Sequence, residues 1–288
     1  MNKSKYFLQY VFIIFLFLFF KLVGYKISLA ISSSIFLIFG NFFRSKKTTL
    51  QNIRRAMSGL DEKEIKHISK RMWSNYGKIF VEYLYLDKFR NSIKYSKKIK
   101  IINQHILDDI KNNKEPVIFV SGHFNNFELM AMHLEKSGID LAAIYRPLNN
   151  PFLNPKMEIL RQRFICQKQV KKGISGTKQI LKFFKNKTSV ALMIDQRVTQ
   201  GINCKFFNEN ALTTTIPAQF AKKYGARVVP IYIERLKDEN FNLTIYEPIK
   251  YNKNESIEEI TLHLNQILEK MILKNPDQWI WTHNRWKK

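Results

Sequence analysis

The sequence predicts an α/β protein with a largely parallel central sheet and helices on both faces, preceded by an N-terminal hydrophobic anchor helix. Three observations carry this. From about residue 99, helical periodicities alternate with short β-rich runs, the pattern of a parallel sheet built from crossover units. Residues 6–20 (YFLQYVFIIFLFLFF) hold one polar residue, Gln9, and no charge. A chain of 288 residues with 45% hydrophobic content suffices for one large domain plus a short appendage.

In chain order, the first apolar run is followed by Lys21 and by a second uncharged run, 27–43 (ISLAISSSIFLIFGNFF). The first is close to the shortest stretch that crosses a bilayer, unless Lys21 snorkels and Leu22-Val23 extend it. Ser28-Leu29-Ala30 passes for a signal-peptide cleavage site, but the run is long and Phe-rich and a basic region follows. A retained anchor is therefore expected. Spanning the bilayer and lying in its interface, also as a hairpin with 27–43, both fit. The expected boundaries are 1–43 for the anchor and 44–288 for the remaining domain. Residues 44–57 are basic with Leu50, Ile53 and Met57 spaced as on a helix near the membrane surface. Asp61 and Glu64 resemble a capping box. Ile65, Ile68, Met72, Tyr76, Ile79, Phe80, Tyr83 and Leu84 predict a buried helical stripe over 62–86. Further helices are expected at 103–113, 126–137, 153–164, 175–186, 215–224 and 256–273. Strands are expected at 116–121, 140–145, 188–194, 226–233 and 241–246. No repeat, low-complexity tract or second-domain boundary interrupts this part.

The net charge is +25, and between Lys156 and Lys187 ten Lys or Arg face one acid, Glu158. Nucleic acid, an anionic membrane surface and an acidic partner all suit such a balance. Nucleic-acid readers lean on Arg forks and recognisable motifs; the chain is Lys-biased and shows none. Beside an apolar N-terminus, the membrane reading gains most, and an acidic partner is compatible with it. Cys166 and Cys204 make neither a disulfide framework nor a zinc site; reduced, buried thiols fit a domain facing the cytoplasm. Trp279, Trp281 and Trp286 beside Lys287-Lys288 suit an interfacial belt or packing in the core.

The chemistry concentrates in Pro116-Val-Ile-Phe-Val-Ser-Gly-His123-Phe-Asn-Asn-Phe-Glu128. On one continuous helix His123 and Glu128 would point about 140° apart. On a strand end, a turn and a first helical turn they can meet, and an imidazole held by a carboxylate takes a proton from a hydroxyl at neutral pH. The plainer alternative is a helix cap, with Asn125 as N-cap and Glu128 closing a capping box at N3. A metal site lacks a third ligand nearby. Tyr145-Arg146 and Asp195 also fall at carboxyl ends of expected strands, where such sheets place their chemistry.

The segment SGHFNNFE resembles the H-x4-D/E motif of glycerolipid-type acyltransferases, and its flanks resemble the late acyltransferases of lipid A biosynthesis. The likeness continues through Ala143-Ile-Tyr-Arg-Pro-Leu-Asn-Asn-Pro151, Met193-Ile-Asp-Gln196, Phe206-Phe207 with Thr213-Thr-Thr and Ala218-Gln-Phe-Ala221, and Asn275-Pro-Asp-Gln-Trp-Ile-Trp-Thr-His-Asn-Arg-Trp-Lys287. The resemblance runs in order from the hydrophobic N-terminus to the last residues. Departures are Asn125 and Asn208 where Gly is usual, Phe127 in place of Trp, and Asn284 in place of a basic residue.

This resemblance implies transfer of a fatty acyl chain from acyl carrier protein to a hydroxyl of a lipid A precursor, at the bacterial inner membrane with the catalytic domain on the cytoplasmic side. His123 would be general base and Glu128 would orient it, with no metal and no bound cofactor. The resemblance adds Asn126, Arg146, Asp195 and Gln196 as substrate-binding residues. Arg146 suits an anionic group, on the lipid or on the phosphopantetheine arm, or else a salt bridge to Asp195. Lys168, Lys171, Lys172 and Lys178 would steer the acidic carrier, grip anionic headgroups or form a solvated face. The alternatives are acylation of another membrane lipid, a lysophospholipid or glycolipid, and a non-catalytic basic protein binding membrane or nucleic acid.

Overall fold

In the computed structural model, which describes residues 3–287, two long apolar helices open the chain. These are α1 (Lys3–Val23) and α2 (Tyr25–Phe43), broken at Gly24, whose φ of +80° is in the left-handed region. Both are long and apolar enough, by length and composition, to cross a membrane. Then come α3 (Lys46–Ala56) and α4 (Glu62–Glu82). The expected capping box forms at the start of α4: Asp61 accepts from the Glu64 amide and Glu64 from the Asp61 amide, each at 2.8 Å. A 3-10 turn (Tyr83–Tyr85) stops α4 earlier than its apolar periodicity suggests and leads to α5 (Leu86–Asn91) and α6 (Ile93–Ser96).

The alternating part follows as β1 (Ile99–Ile102), α7 (Gln104–Asn113), β2 (Ile118–Ser121), α8 (Glu128–Lys136), β3 (Leu141–Tyr145), α9 (Asn154–Phe164), β4 (Lys168–Lys171), α10 (Ile174–Lys185) and β5 (Ser189–Met193). After β5 come β6 (Ile202–Phe206), β7 (Glu209–Thr213), α11 (Ile216–Tyr224), β8 (Val228–Arg235), β9 (Phe241–Ile245) and α12 (Ile257–Lys274). A 3-10 turn (Pro276–Gln278) leads into the C-terminal segment. Seven strands form one sheet in the order β1-β9-β8-β2-β5-β3-β4, with helices packed around it. Every pairing in it is parallel except β8 with β9. The fold is the α/β architecture that the alternation predicts.

All five expected strands form. Four more carry weak sequence signals. β1 and β4 are four-residue edge strands, and in β4 (Lys-Gln-Val-Lys) only Val170 is buried; charged edge strands resist further pairing. β6 and β7 form a separate antiparallel hairpin. Its two turn residues, Phe207 and Asn208, both have positive φ, 50° and 62°, as a tight hairpin of this twist requires. Glycine is the ordinary answer to such a φ; here Phe207 is held instead by burial against Phe206 and Trp286.

Two features of packing bear on the site. First, α2 is part of the core. Its serine run lies on α4, where Ser32 Oγ donates to the Gly77 carbonyl at 2.7 Å and Ser33 meets Ser74 at 2.6 Å. A Cβ at Gly77 would stand 2.4 Å from the Ser32 carbonyl oxygen, so only glycine allows this approach. Second, Arg235 of β8 and Glu82 of α4 form a buried bidentate pair at 2.6 and 3.0 Å, joining the helical layer to the sheet. The three C-terminal tryptophans pack inside, with Trp279 2% and Trp281 0% exposed, and do not form an interfacial belt.

Candidate active site

The site is a product of strand register. Central strands β2 and β5 are parallel neighbours with Ser121 opposite Met193, and the Ile194 amide donates to the Ser121 carbonyl at 2.9 Å. His123 and Asp195 each stand two residues beyond that pair, so the sheet delivers them side by side. Asp195 Oδ1 lies 2.8 Å from His123 Nδ1, and Oδ2 accepts the His123 backbone N–H at 2.8 Å. Trp279 Nε1 donates to the same Oδ2 at 2.9 Å. Asp195 is buried. Burial alone raises a carboxyl's pKa, but the imidazole and the converging N–H donors outweigh it and hold Asp195 down at about 2.

An ionised carboxylate on Nδ1 fixes the tautomer with the proton on that nitrogen and leaves Nε2 an acceptor. Nε2 has the Gln196 side-chain amide at 3.5 Å. The Phe127 ring stands edge-on against the imidazole, 4.7 Å between centroids. His123 keeps 19% of its side chain exposed.

Glu128 takes a different partner from the one its spacing suggests. Its Oε1 accepts from Arg161 Nε at 2.9 Å, Arg161 Nη2 at 2.6 Å and the Tyr83 hydroxyl at 2.9 Å. The cause lies in the intervening turn. Asn125 has φ +43°, a left-handed conformation that asparagine tolerates and glycine takes freely. It does not cap the helix: α8 begins at Glu128, and Asn125 Nδ2 donates to the Ile233 carbonyl and to Gln278. Asn126 turns inward too, fully buried with Nδ2 donating to Glu82 at 3.1 Å. The two asparagines pin the His123 loop to the sheet, to the C-terminal segment and to α4. Glu128 is left facing α9, whose Arg161 is the one buried cation of the basic block. Burial lowers the affinity of Arg161 for its proton, and Glu128 and Tyr83 more than restore it; burial beside Glu128 raises the Tyr83 hydroxyl. Arg161 Nη1 is buried without a hydrogen-bond partner.

Arg146 is exposed at the end of β3, and Asp195 is committed elsewhere, so no salt bridge joins them. Register places Tyr145 opposite Lys171, and the Lys172 amide donates to the Tyr145 carbonyl at 2.8 Å. Tyr145 and Lys171 both turn to Glu158, at 2.7 and 3.1 Å. Arg146 and Lys172 follow these at the ends of β3 and β4, both exposed. Burial and Arg146 lower the pKa of Lys172, and Asp195 raises it. The two cations thus share the rim of the site.

Of the residues singled out in the sequence, His123, Asp195 and Gln196 come together, Arg146 stands on the rim, and Asn126 and Glu128 support the loop and α9. The sequence reading missed Arg161, Tyr83 and Trp279. For Arg161 a signal exists: Met157, Arg161 and Phe164 share one helical face, which puts this arginine on an apolar stripe. The C-terminal segment also reaches the site, as His283 Nε2 accepts the Arg197 amide at 3.1 Å.

Comparison with known proteins gives a consistent picture. A family model described as bacterial lipid A biosynthesis acyltransferase matches residues 1–288. The chain is 26% identical over 195 residues to the lipid A biosynthesis lauroyltransferase of Escherichia coli K12, covering 65% of this chain and 61% of that protein. It is 26% identical, also over 195 residues, to the lipid A biosynthesis acyltransferase of Haemophilus influenzae, covering 65% and 60%. The match thus spans about three fifths of the length of each relative.

Proposed function

We propose, for a chain that belongs to the bacterial lipid A biosynthesis acyltransferase family, that it moves a fatty acyl group from the thioester of acyl carrier protein to a hydroxyl of a lipid A precursor. The observation that carries this reading is the imidazole of His123, held through Nδ1 by a buried carboxylate with Nε2 left to accept a proton. In the reaction, Nε2 takes the hydroxyl proton as the oxygen attacks the thioester carbonyl. The new C–O bond forms, the C–S bond breaks, and the imidazolium returns its proton to the departing thiolate. Asp195 stabilises the imidazolium throughout.

Glu128 acts at one remove from this proton transfer. It fixes Arg161 and accepts from the Tyr83 hydroxyl, which anchors α9 beside the His123 loop. Gln196 orients the attacking group beside Nε2. Arg146 and Lys172 meet a phosphate, on the lipid or on the carrier's arm. Of the lysines singled out in the sequence, the exposed Lys178 of α10 steers the acidic carrier protein. The chain works at the inner membrane from the cytoplasmic side, a setting in which the free thiols of Cys166 and Cys204 persist.

Transfer from radiolabelled acyl carrier protein to the lipid acceptor tests this. His123→Ala and Asp195→Asn are each expected to lose roughly 10²–10⁴-fold in turnover. Glu128→Ala should lose activity together with stability, because it strands a buried guanidinium at a cost of about 3–5 kcal/mol. Wild-type turnover in both His123→Ala and Asp195→Asn would make the pair structural and end this mechanism.

A further inference from the structure

Helix α1 touches the folded body near both of its ends. Tyr6, Tyr10, Ile13, Phe17 and Phe20, spaced four and three apart, are its half-buried or buried face. Near the N-terminal end, Asn150 Nδ2 donates to the Tyr6 carbonyl and to Gln9 Oε1, each at 2.9 Å, and the Phe152 ring meets Phe7 at 5.5 Å. Lys156 lies over the Tyr10 ring. Near the other end Phe17 and Phe20 pack on Phe80, and the Phe20 carbonyl accepts from Ser28 Oγ at 2.7 Å. Helix α2 is tied in the same way, through Tyr25 on Tyr85, Ser32 on Gly77, and Trp73 Nε1 to Asn41 at 3.0 Å.

A helix of 21 residues is about 30 Å long, the thickness of the hydrocarbon core. Were α1 to cross, its two sets of partners would lie on opposite sides of the membrane, and the body joining them would stand in hydrocarbon. At that contact the body carries the exposed Lys156, and a charge in hydrocarbon is costly. The opposite face of α1 is continuous and apolar: Leu8, Phe12, Phe15, Phe19 and Leu22, exposed at 67, 60, 66, 38 and 86%. Ile35, Ile38, Phe39 and Phe42 of α2 are exposed as well. Lys3, Lys5, Lys21, Lys26 and Arg44 flank these faces, the complement of anionic headgroups.

We infer that α1 and α2 lie in one leaflet of an anionic bilayer, each sunk by its outer face, and that neither crosses it. The attachment is monotopic, and the start of α1, the break between the helices and the end of α2 are on the same side. The inference stands on contacts alone and is independent of the catalytic reading.

Single cysteines at Lys3→Cys, Lys26→Cys and Lys47→Cys, in the full chain in sealed vesicles of known orientation, test it with a membrane-impermeant maleimide. All three should be labelled from the one face that also exposes a Lys253→Cys reference on the folded body. Labelling of Lys3→Cys only from the other face would mean a single crossing, and of Lys26→Cys only a spanning hairpin; either overturns the inference. Recovery of the protein in the soluble fraction overturns it too. A Phe12→Trp variant should be quenched by brominated lipid at least severalfold more than Tyr10→Trp, whereas a crossing helix would expose both positions to the chains.

Discussion

Asp195 accepts from three N–H groups, and only the Trp279 indole comes from outside His123 itself. That bond keeps the carboxylate from rotating off Nδ1. Trp279→Phe keeps the ring packed against Trp281 and Phe206 but deletes the donor. Hydrogen bonds to charged groups contribute about 1.5–3 kcal/mol to stability, so Tm should fall, and kcat of the folded protein should fall at least tenfold with KM nearly unchanged. Steady-state kinetics beside a thermal melt would show it, and an unchanged kcat would reduce Trp279 to packing. Residue-level chemistry was half legible in the sequence. His123 announced itself through a strand, a glycine and a turn. Asp195 was legible as a strand-end site residue but not as the partner of His123, because it is 72 residues away and only the register of two strands brings the two together. The spacing to Glu128 was real but served another partner, since the left-handed Asn125 rotates the chain before α8 begins.

At the scale of elements, the central strands were legible because both their faces are buried and their sequences are mostly apolar. The edges β1 and β4 were not, as each has water and charge on one flank. Helix α2 was the instructive case. Its apolar run and its serines pulled in opposite directions in the sequence, and the structure uses both: Ser32 and Ser33 against α4, Ile35, Ile38, Phe39 and Phe42 outward. A consequence separates the two N-terminal helices. Deleting residues 1–15 should leave the folded body near its original Tm, because the core contribution of α1 begins at Phe17 and Phe20. Deleting 1–43 strips Tyr25, Leu29 and the Gly77 contact from α4. Buried side chains are worth about 1.5–3 kcal/mol each against a net stability of 5–15, so that chain should aggregate. Circular dichroism melts of both truncations in detergent check this; equal stability would make α2 a mere appendage.

The molecule as a whole carries a net charge of +25, and its acid response has a specific source besides that repulsion. His133 and His283 are held at about 4, mainly by burial, below the ordinary 6.5. The unfolded chain therefore binds protons that the folded chain refuses. This stability is complete above pH 6.5 and is lost as pH falls toward 4. For the buried His133 alone the loss is about 3 kcal/mol. His133→Leu should flatten the fall of Tm between pH 6.5 and 4, and an unaltered slope would exclude His133 as a source. Finally, the placement of His123 and Asp195 two residues past the Ser121–Met193 rung has a bearing on how such sequences can drift. Everything between them, from α8 through α10, leaves and re-enters the sheet without setting their distance. Insertions of several residues in the connections around 147–153 or 186–188 should therefore be silent for the proton relay. Loss of one residue inside 189–193 should abolish it, since the carboxylate would then emerge on the other face of the sheet.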